Sequence, residues 1–488
     1  RGEAFAQLIK EYGVMVRYHS ILNQPHVLIS DPKLIQQILI TRSYDFPNFF
    51  LSRNLAKDLI SESVSFAEGD DHKRQRKALS PSFSFANVKE MVPTFFKAAH
   101  QMKDIWLKQI GNKNEERITI TELIPKIILD VIGLVGFNYE FNATTSHSEL
   151  ARAYHSVVNN MPHVLYVFLA DYLPSVRRIL PAFYKDQYWN SVQLIHGIAN
   201  KLVTRLINSN VWGNDLMSVL IQTNENLPAS EQLTFDEIRS QVTIILTAGH
   251  ETTSVTLSWA LYYLAKNSKA QDRLRKEILD VFTDRNYFPT IEEIDHLEYL
   301  ECVFKETLRL APPLPELMRS TVKDEIMNGY VIPKDTPLAI PIYAIQRDPL
   351  IWGDDAENFN PSRWLDPEIK SKISTSHYFP FSAGRRACPG NKLALLELKM
   401  ILPIIIRNFK FRIVEGFTFE NRTQGLSKPV PGIDLLVSKV DSGSGWRSTC
   451  DTRVRSNTTQ IQNQSLNGRR RLRRRKTWSE FRAGDTCD

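Results

Sequence analysis

Cysteine is scarce in this chain of 488 residues, and long apolar runs are missing from it. The four cysteines are Cys302, Cys388, Cys450 and Cys487, and no two of them form a Cys-x-x-Cys pair. A disulfide-rich scaffold is therefore excluded, and the protein suits a reducing compartment. The sequence has no run of about 18 consecutive apolar residues, so no segment of it is predicted to span a membrane.

The body of the chain also lacks a strong net charge. The whole sequence carries +7, but residues 441–488 hold eleven Lys or Arg and five Asp or Glu, which accounts for six of these charges. Residues 1–440 are nearly neutral, so their charge gives no reason to expect a nucleic acid as partner. With 42% apolar and 24% charged residues, the composition is that of a globular protein.

The most informative stretch is a loop in which one cysteine lies between glycines and arginines, Phe381-Ser-Ala-Gly384-Arg-Arg386-Ala-Cys388-Pro-Gly390. An apolar helical run follows, and a thiolate at a helix N-terminus is stabilised by free N–H groups and the helix dipole. Gly384 permits a tight turn, Gly390 lets a flat ligand approach the backbone, and Arg386 is able to meet a carboxylate. A merely buried cysteine is the alternative, but it leaves the other positions unexplained.

The longest periodic segment, from Thr234 to about Lys266, predicts a central helix. It opens with a capping box and is apolar nearly all round. Its middle reads Thr247-Ala248-Gly249-His250-Glu251-Thr252, so two small residues precede an acid–alcohol pair. The alternative is a glycine kink with locally bonded hydroxyls. A zinc-protease HExxH motif is excluded, because Ser occupies position 254.

These stretches resemble the cytochrome P-450 superfamily. The loop at 381–390 is similar to the family's heme-binding loop, and 248–252 to its acid–alcohol segment. In residues 69–83, Arg76 and Pro81-x-Phe83 fit the family helix that binds a heme propionate, with His72 where tryptophan is usual. Arg319 matches a family arginine that binds a propionate. Glu306-x-x-Arg309 and Arg363 also match family positions, and these three residues are expected to form a buried structural network.

The resemblance implies a mainly α fold with a small β region, in which a long central helix lies over a heme. It covers residues 1–440, expected to be one heme-thiolate catalytic domain whose N-terminal anchor is missing from this sequence. Residues 441–488 are predicted to be a disordered basic tail. The alternatives for the tail are misframed coding sequence and a genuine basic arm for nucleic acid or acidic lipid.

The implied cofactor is heme b, iron protoporphyrin IX, with Cys388 as the ligand of the iron. The residues implied to hold the cofactor are Cys388, Arg76, His72, Arg319, Arg386, Phe381, Gly384, Gly390, Ala248 and Gly249. Thr252, helped by Glu251, would be catalytic by guiding protons toward dioxygen. The pocket walls would come from residues near 44–66, 160–182, 241–252, 314–318 and 426–431.

The implied activity is that of a heme-thiolate monooxygenase acting on a small lipophilic substrate. Electrons would come from NADPH through a separate flavoprotein reductase, because no flavin or nicotinamide domain fits in the rest of the sequence. We expect a membrane surface as partner, the cytoplasmic face of the endoplasmic reticulum as location, and no nucleic acid. The alternatives are a reductase-independent heme-thiolate isomerase or peroxygenase, which Glu251-Thr252 argues against, and a non-catalytic heme-binding protein.

Local patterns add further structural predictions, which include a hairpin of Val14–Tyr18 with His26–Ser30 and a helix that opens at Asp31-Pro32. Residues 85–210 are expected to be helical throughout, with the apolar stretch 161–181 forming a roof over a pocket or a membrane-touching edge. Residues 330–340 are predicted to form a hairpin and 425–431 a turn. Pro403 is expected to kink or end its helix near Leu402.

Overall fold

The computed structural model of the protein describes residues 2–20, 23–49, 57, 60, 62–144, 149–159, 188–209, 212–282, 284, 286–424 and 426–440. The chain divides into two units after Val440. The predicted tail at 441–488 and the apolar stretch at 161–181 lie outside the described residues. The described part is mainly helical with a small β region, which confirms the predicted fold class.

The helices are numbered in chain order. They are α1 (Gly2–Tyr12), α2 (Pro32–Gln36), α3 (Gly69–Leu79), α4 (Phe85–Lys89), α5 (Val92–Ile110), α6 (Ile120–Phe137), α7 (Glu149–Asn159), α8 (Tyr188–Ser209), α9 (Leu216–Glu225), α10 (Phe235–Lys266), α11 (Ser268–Val281), α12 (Ile291–Asp295), α13 (Glu298–Leu310), α14 (Ile342–Ile345), α15 (Pro349–Trp352), α16 (Pro367–Lys372) and α17 (Asn391–Asn408).

The strands form four small sheets. They are β1 (Met15–His19), β2 (Pro25–Ile29), β3 (Glu115–Thr119), β4 (Leu317–Ser320), β5 (Glu325–Met327), β6 (Tyr330–Ile332), β7 (Pro337–Ile340), β8 (Phe409–Ile413), β9 (Glu420–Gln424), β10 (Leu426–Val430) and β11 (Asp434–Lys439). The sheet orders are β1-β2-β7-β4, β3-β11-β8, β10-β9 and β5-β6.

Helix α10 is the centre of the helical part, and its start follows from its sequence. Thr234 accepts a hydrogen bond from the Glu237 N–H, and the Glu237 carboxylate accepts one from the Thr234 N–H. Such a box satisfies N–H groups that have no partner inside the helix. The helix spans 32 residues, about 48 Å at 1.5 Å per residue. It packs against α6, α8, α11, α13, α17, β8 and β10.

Strand β3 shows that the prediction of helix throughout 85–210 was wrong. Residues Glu115–Thr119 pair antiparallel with β11, so that Ile118 faces Leu435. The partner strand is more than 300 residues away in sequence, and helical propensity within a window carries no information about it. Strand pairing therefore overrode the local pattern.

Two predictions about short β segments were also wrong. Residues 330–340 do not form a hairpin, because β6 pairs with β5 whereas β7 pairs with β2 and β4. The turn lies earlier, at Asn328-Gly329, where both residues have positive φ. Asn-Gly is the preferred sequence of a two-residue hairpin turn. Residues 426–430 of the predicted turn at 425–431 form a strand, β10, paired with β9.

Pro403 does not end its helix, contrary to one of the two expectations for it. Helix α17 continues past Pro403 to Asn408. Proline inside a helix costs about 3 kcal/mol. Ile404, Ile405 and Ile406 are fully buried in the main core, and burying each large aliphatic side chain contributes about 1.5–3 kcal/mol. Packing therefore outweighs the proline.

The main core surrounds α10, α6, α5 and α17, and a second core lies between the β1-β2-β7-β4 sheet and α2. None of the helices in the described part of the chain combines the length and the apolar character needed to cross a bilayer.

Candidate active site

The loop at 381–390 is folded back on itself by two backbone hydrogen bonds. The Cys388 N–H donates to the Phe381 carbonyl at 2.9 Å, and the Ala387 N–H to the Gly384 carbonyl at 3.1 Å. Gly384 has a φ of +70°, and a Cβ there would lie 2.1 Å from the carbonyl oxygen of Leu39. Only glycine fits this approach. The turn brings Cys388 to the start of α17.

The Cys388 side chain is accessible and lies among densely packed protein atoms. Burial raises the pKa of the thiol, whereas a backbone hydrogen bond at Gly390 and the charge of Arg76 oppose that rise without cancelling it. The backbone N–H near the start of α17 therefore favours the thiolate without outweighing burial. A bound metal would displace the thiol proton.

Helix α3 connects this loop to α10. On one side, Arg76 Nη1 donates to the carbonyl of Ala387 at 2.7 Å. On the other side, Gln241 Nε2 donates to Gln75 Oε1 at 3.0 Å, and Gln75 Nε2 donates to Glu237 at 3.3 Å. Gln75 and Gln241 are both buried. The cysteine loop and the first half of α10 are thus held at a fixed separation by one helix.

A second group of side chains around this loop, here called the open cluster, consists of Glu68, Arg76, Arg319 and Arg386. Arg386 forms an ion pair with Glu68 and donates to the carbonyl of Ala67 at 3.2 Å. Its buried Nε has no hydrogen-bond partner among the described residues. Arg319 is only 5% exposed, and no carboxylate of the described chain forms an ion pair with it.

The open cluster carries an excess of positive charge. The pKa of Arg319 is lowered to about 10, chiefly by burial and further by repulsion from Arg386, while the charge of Glu68 opposes this effect. The pKa of Arg76 is also lowered, chiefly by burial. The cluster holds three guanidinium groups and one carboxylate, which pairs with Arg386, and this leaves an excess of two positive charges. A ligand with two carboxylates would balance it, because buried charges are stable only when paired.

His72 and Tyr44 complete this region. His72 is buried, and its Nδ1 lies 3.0 Å from the Tyr44 hydroxyl. Burial, together with repulsion from Arg386 and Arg76, lowers the pKa of His72 to about 4. The imidazole is therefore neutral, so it can act as a hydrogen-bond donor but not as a cation. The Arg386 guanidinium lies over the Tyr44 ring, 5.2 Å from its centre.

The middle of α10 presents one exposed alanine within a buried helix. Ala248 is exposed, and the Thr252 hydroxyl one turn later donates to the Ala248 carbonyl at 2.8 Å. The hydroxyl oxygen keeps its lone pairs free to accept. Gly249 lies on the side of α10 that faces α6, because a Cβ added there would lie 2.8 Å from the Ile132 side chain. This geometry assigns Gly249 to helix packing and leaves the open surface to Ala248.

Glu251 is buried and ionised. Burial raises the pKa of its carboxyl, but the hydrogen bond with His250 and the charge of Lys428 outweigh burial and bring it to about 2. His250 Nε2 lies 3.3 Å from one carboxylate oxygen, and Lys428 Nζ forms an ion pair with the other. The carboxylate therefore points toward β10.

The predicted structural network is present, and we call its four residues, Glu306, Arg309, Asp355 and Arg363, the closed network. Glu306 accepts two hydrogen bonds from Arg309, both at 2.8 Å, and one from Arg363 at 3.1 Å. Arg363 also donates to Asp355 at 2.8 Å. Two acids thus balance two bases. Gln346, which donates to the Arg309 carbonyl, accepts a hydrogen bond from the Phe379 N–H just before the cysteine loop.

These observations fit a metal porphyrin with two propionates. The interior thiol provides a metal ligand, the open cluster lacks two negative charges, and Ala248 leaves surface exposed in the middle of α10. No group of three or more His, Cys, Asp or Glu in the described residues would hold a metal ion by itself. A single protein thiolate with the remaining ligands supplied by a macrocycle is the ligation found in heme-thiolate proteins.

Comparison with known proteins identifies the class. The family model "Cytochrome P450" matches residues 1–437, so the chain belongs to the cytochrome P450 family. Cytochrome P450 monooxygenase claQ of Ampulloclitocybe clavipes is 31% identical over 445 residues, covering 84% of this chain and 81% of that protein. Cytochrome P450 monooxygenase 205 of Postia placenta is 28% identical, covering 89% and 85%. Secologanin synthase 1 of Catharanthus roseus is 28% identical, covering 86% and 80%.

The protein is thus a cytochrome P450 monooxygenase with heme b as its cofactor. Three residues of the site were not found from the sequence: Tyr44, Glu68 and Lys428. Each is joined to the site by a side-chain contact with a residue distant in sequence. No spacing rule within a local window reports such contacts. Tyr44 and Lys428 lie within ranges predicted to contribute to the pocket walls, but nothing in the sequence marked the two residues themselves.

Proposed function

We propose that this monooxygenase inserts one oxygen atom of dioxygen into a small lipophilic substrate, using electrons from NADPH that a separate flavoprotein reductase delivers. The observation that carries the proposal is the pairing of an interior thiol, Cys388, with an acid–alcohol pair on the helix joined to its loop through α3. When bound, the heme supplies the activation of dioxygen that no side chain of the protein provides.

The protein's own residues hold the cofactor and handle protons. Arg76, Arg319 and Arg386 would bind the propionates through charge-assisted hydrogen bonds, and neutral His72 would donate one more. The Thr252 hydroxyl can accept a proton on oxygen while it releases its own, so it can relay protons toward dioxygen. Glu251-Thr252 also argues against a peroxide isomerase, which has no need of such a relay.

A lipophilic substrate is supported by the residues next to β10. The Ser427 N–H donates to the Pro313 carbonyl at 2.9 Å, so residues 313–318 lie beside the strand. Leu314 is exposed there, whereas Leu317 and Met318 pack partly against the core. Apolar surface near a reaction centre with few polar groups favours an apolar ligand.

A membrane surface on the cytoplasmic side of the endoplasmic reticulum is the proposed location of the reaction. The support is the β5-β6 hairpin, where Ile326 and Val331 face each other across the strands and are 74% and 65% exposed. Tyr330 is exposed beside them. Exposed apolar side chains grouped in this way favour contact with lipid.

Turnover with isotopically labelled dioxygen tests the proposal. The purified protein is mixed with NADPH and a cytochrome P450 reductase, with and without phospholipid vesicles, and lipophilic compounds are screened by mass spectrometry. We expect one labelled oxygen atom in the product, one in water, and faster turnover with vesicles. Thr252→Ala should still consume NADPH but form about 10²- to 10⁴-fold less product, the usual contribution of proton transfer. Product formed without NADPH or reductase would contradict the proposal.

A further inference from the structure

His72 and Tyr44 form a hydrogen-bonded pair beside the open cluster. The two rings meet edge to face with their centres 5.6 Å apart, and His72 Nδ1 lies 3.0 Å from the Tyr44 hydroxyl oxygen. His72 is only 3% exposed. Within the described part of the chain, no group forms a hydrogen bond with its other ring nitrogen, Nε2. Tyr44 therefore occupies one nitrogen of the buried imidazole, and the other is available to a ligand.

The backbone places Tyr44 against the cysteine loop. A Cβ at Gly384 would collide with the carbonyl oxygen of Leu39, so the segment that leads to Tyr44 packs directly on the loop. Arg42, two residues before Tyr44, forms an ion pair with Glu325 of β5 at 2.7 Å. The contact of the Tyr44 hydroxyl with the imidazole is thus set by the packing of separate elements and not by a chance side-chain conformation.

Three positive charges surround the Tyr44 ring. The Lys73 ammonium and the guanidinium groups of Arg386 and Arg385 lie 5.0, 5.2 and 5.9 Å from its centre. Cations over an aromatic ring are attracted by its electrons, and they draw electron density away from the phenol oxygen. The hydroxyl is therefore a better hydrogen-bond donor than acceptor, and the acceptor within its reach is His72 Nδ1.

A hydrogen bond donated by Tyr44 selects one tautomer of His72. The neutral imidazole carries one proton, so one ring nitrogen donates and the other accepts. If Nδ1 accepts from Tyr44, the proton lies on Nε2. Arg76 of the open cluster lies one turn further along the same face of α3, so the anion that this cluster binds also lies near the imidazole. The opposite tautomer would turn a lone pair toward that anion and repel it.

We propose that Tyr44 is a positioning residue for the cofactor, whose hydroxyl donates to His72 Nδ1 and so holds the Nε2–H of the imidazole toward a heme propionate. The inference rests on the propionate-binding role proposed above for His72. Where tryptophan is usual, the indole N–H is always a donor and needs no such partner. Histidine at this position requires a second residue that fixes its proton, and Tyr44 is that residue.

Nitrogen NMR of the wild-type protein tests the tautomer directly. The histidines are labelled with the heavy nitrogen isotope, and the spectrum of the ferrous carbon monoxide complex is recorded because that complex is diamagnetic. His72→Gln identifies the signals of His72 by their disappearance. We expect an unprotonated Nδ1 and a protonated Nε2 in the wild type. In Tyr44→Phe, both nitrogens should move toward the averaged shifts of mixed tautomers.

The rate of heme loss measures the effect of this hydrogen bond on the cofactor. Heme transfer to an excess of a globin acceptor should be about 2- to 10-fold faster in Tyr44→Phe than in the wild type, as expected for one neutral hydrogen bond. In the His72→Trp background the same Tyr44→Phe change should have no effect, because the indole donates by itself. His72→Phe replaces His72→Trp if the latter takes up no heme, and there too Tyr44→Phe should change nothing.

Tyr18→Phe is the matched control for Tyr44→Phe. The Tyr18 hydroxyl lies 3.3 Å from His26 Nδ1, so this variant also removes a contact between a tyrosine and a histidine. This pair lies across β1 and β2, where the two residues face each other. Its loss should leave the rate of heme transfer and the signals of His72 unchanged.

Two results would overturn the inference. One is a wild-type His72 whose Nδ1 carries a proton, in a neutral or a charged ring. The other is a Tyr44→Phe change that speeds heme loss equally in the wild-type and His72→Trp backgrounds, because the hydroxyl would then act on the fold and not through the imidazole. Neither measurement needs turnover. Failure of the proposed function is therefore recognised separately, as a protein that holds heme but forms no product.

Discussion

The closed network and the open cluster are both buried groups of arginines, and they differ in charge balance. In the closed network two arginines meet two carboxylates, and backbone carbonyls of Gln346, Ala356 and Trp352 accept most of the other guanidinium N–H groups. The open cluster has three arginines and one carboxylate, which forms an ion pair with Arg386 alone, and a buried N–H of the Arg386 guanidinium has no partner in the described chain. The first group is complete without a ligand. The second is complete only with an anion.

The difference teaches how to separate structural from binding arginines. Both groups contain arginines that match family motifs, and the sequence separates the two groups only through that resemblance. A folded protein keeps a buried charge only if its partner is present, and the partner belongs either to the chain or to a ligand. The excess of positive charge therefore identifies the site that receives the cofactor.

Glu306→Gln should have the largest effect, because it removes the shared acid of the closed network. Two buried guanidinium groups would keep only Asp355, and breaking a buried ion pair costs about 3–5 kcal/mol of unfolding free energy. This loss is a large part of the total free energy of unfolding, which is typically about 5–15 kcal/mol for a folded domain. Urea unfolding followed by circular dichroism measures it. Glu68→Gln is the matched control and should cost less, because the Glu68 side chain is 27% exposed.

Arg319→Met should act on the cofactor and not on the fold. Arg319 is buried without an ion-pair partner in the described chain, so an apolar side chain of similar size is tolerated there. Losing a charge-assisted hydrogen bond of about 1.5–3 kcal/mol should speed heme loss by about 10- to 100-fold. Heme transfer to an excess of a globin acceptor measures the rate. Arg309→Met should lower the unfolding midpoint and leave the rate of heme loss nearly unchanged. Equal effects of the two variants on both quantities would remove the distinction between the open cluster and the closed network.

At about pH 5, Glu397→Gln should give the smallest effect, and it tests a buried acid that has no basic partner among the described residues. Glu397 is buried in α17, one of its oxygens has no hydrogen-bond partner in the described chain, and burial raises its pKa well above the usual value. The folded state therefore keeps a proton that the unfolded state releases, and wild-type stability falls as pH rises between the two pKa values.

Glutamine does not titrate, so the stability gained in Glu397→Gln should grow by about 1.4 kcal/mol for each pH unit within that interval. Thermal unfolding of both proteins from about pH 5 to about pH 8 measures this difference. A difference that stays constant with pH would mean that Glu397 is ionised in the folded protein.

Local sequence signals predicted the elements that depend on local interactions. The start of α10 was predicted by Thr234 and Glu237, whose reciprocal hydrogen bonds span three residues. The β1-β2 pairing and the start of α2 after Asp31 were predicted in the same way. The Asn328-Gly329 turn also follows these local rules, but the apolar run after it was the stronger signal and led to a hairpin being predicted at 330–340.

The remaining errors involve partners distant in sequence. Strand β3 exists because β11 pairs with it, and α17 passes Pro403 because three isoleucines pack in the core beyond it. In the site, the types and positions of Cys388, Arg386 and Thr252 were readable from motifs. The charge balance of the open cluster and the contact of Lys428 with Glu251 were not, because both depend on how separate elements approach one another.

The absorption spectrum of the dithionite-reduced protein, recorded with and without carbon monoxide, tests the central claim most directly. That claim is that Cys388 binds the iron of a heme as thiolate while the open cluster holds its propionates. The account predicts a strongly red-shifted Soret band, which moves to the position of a neutral axial ligand in Cys388→His. A wild-type band already at that position, or a purified protein that takes up no heme, would contradict it.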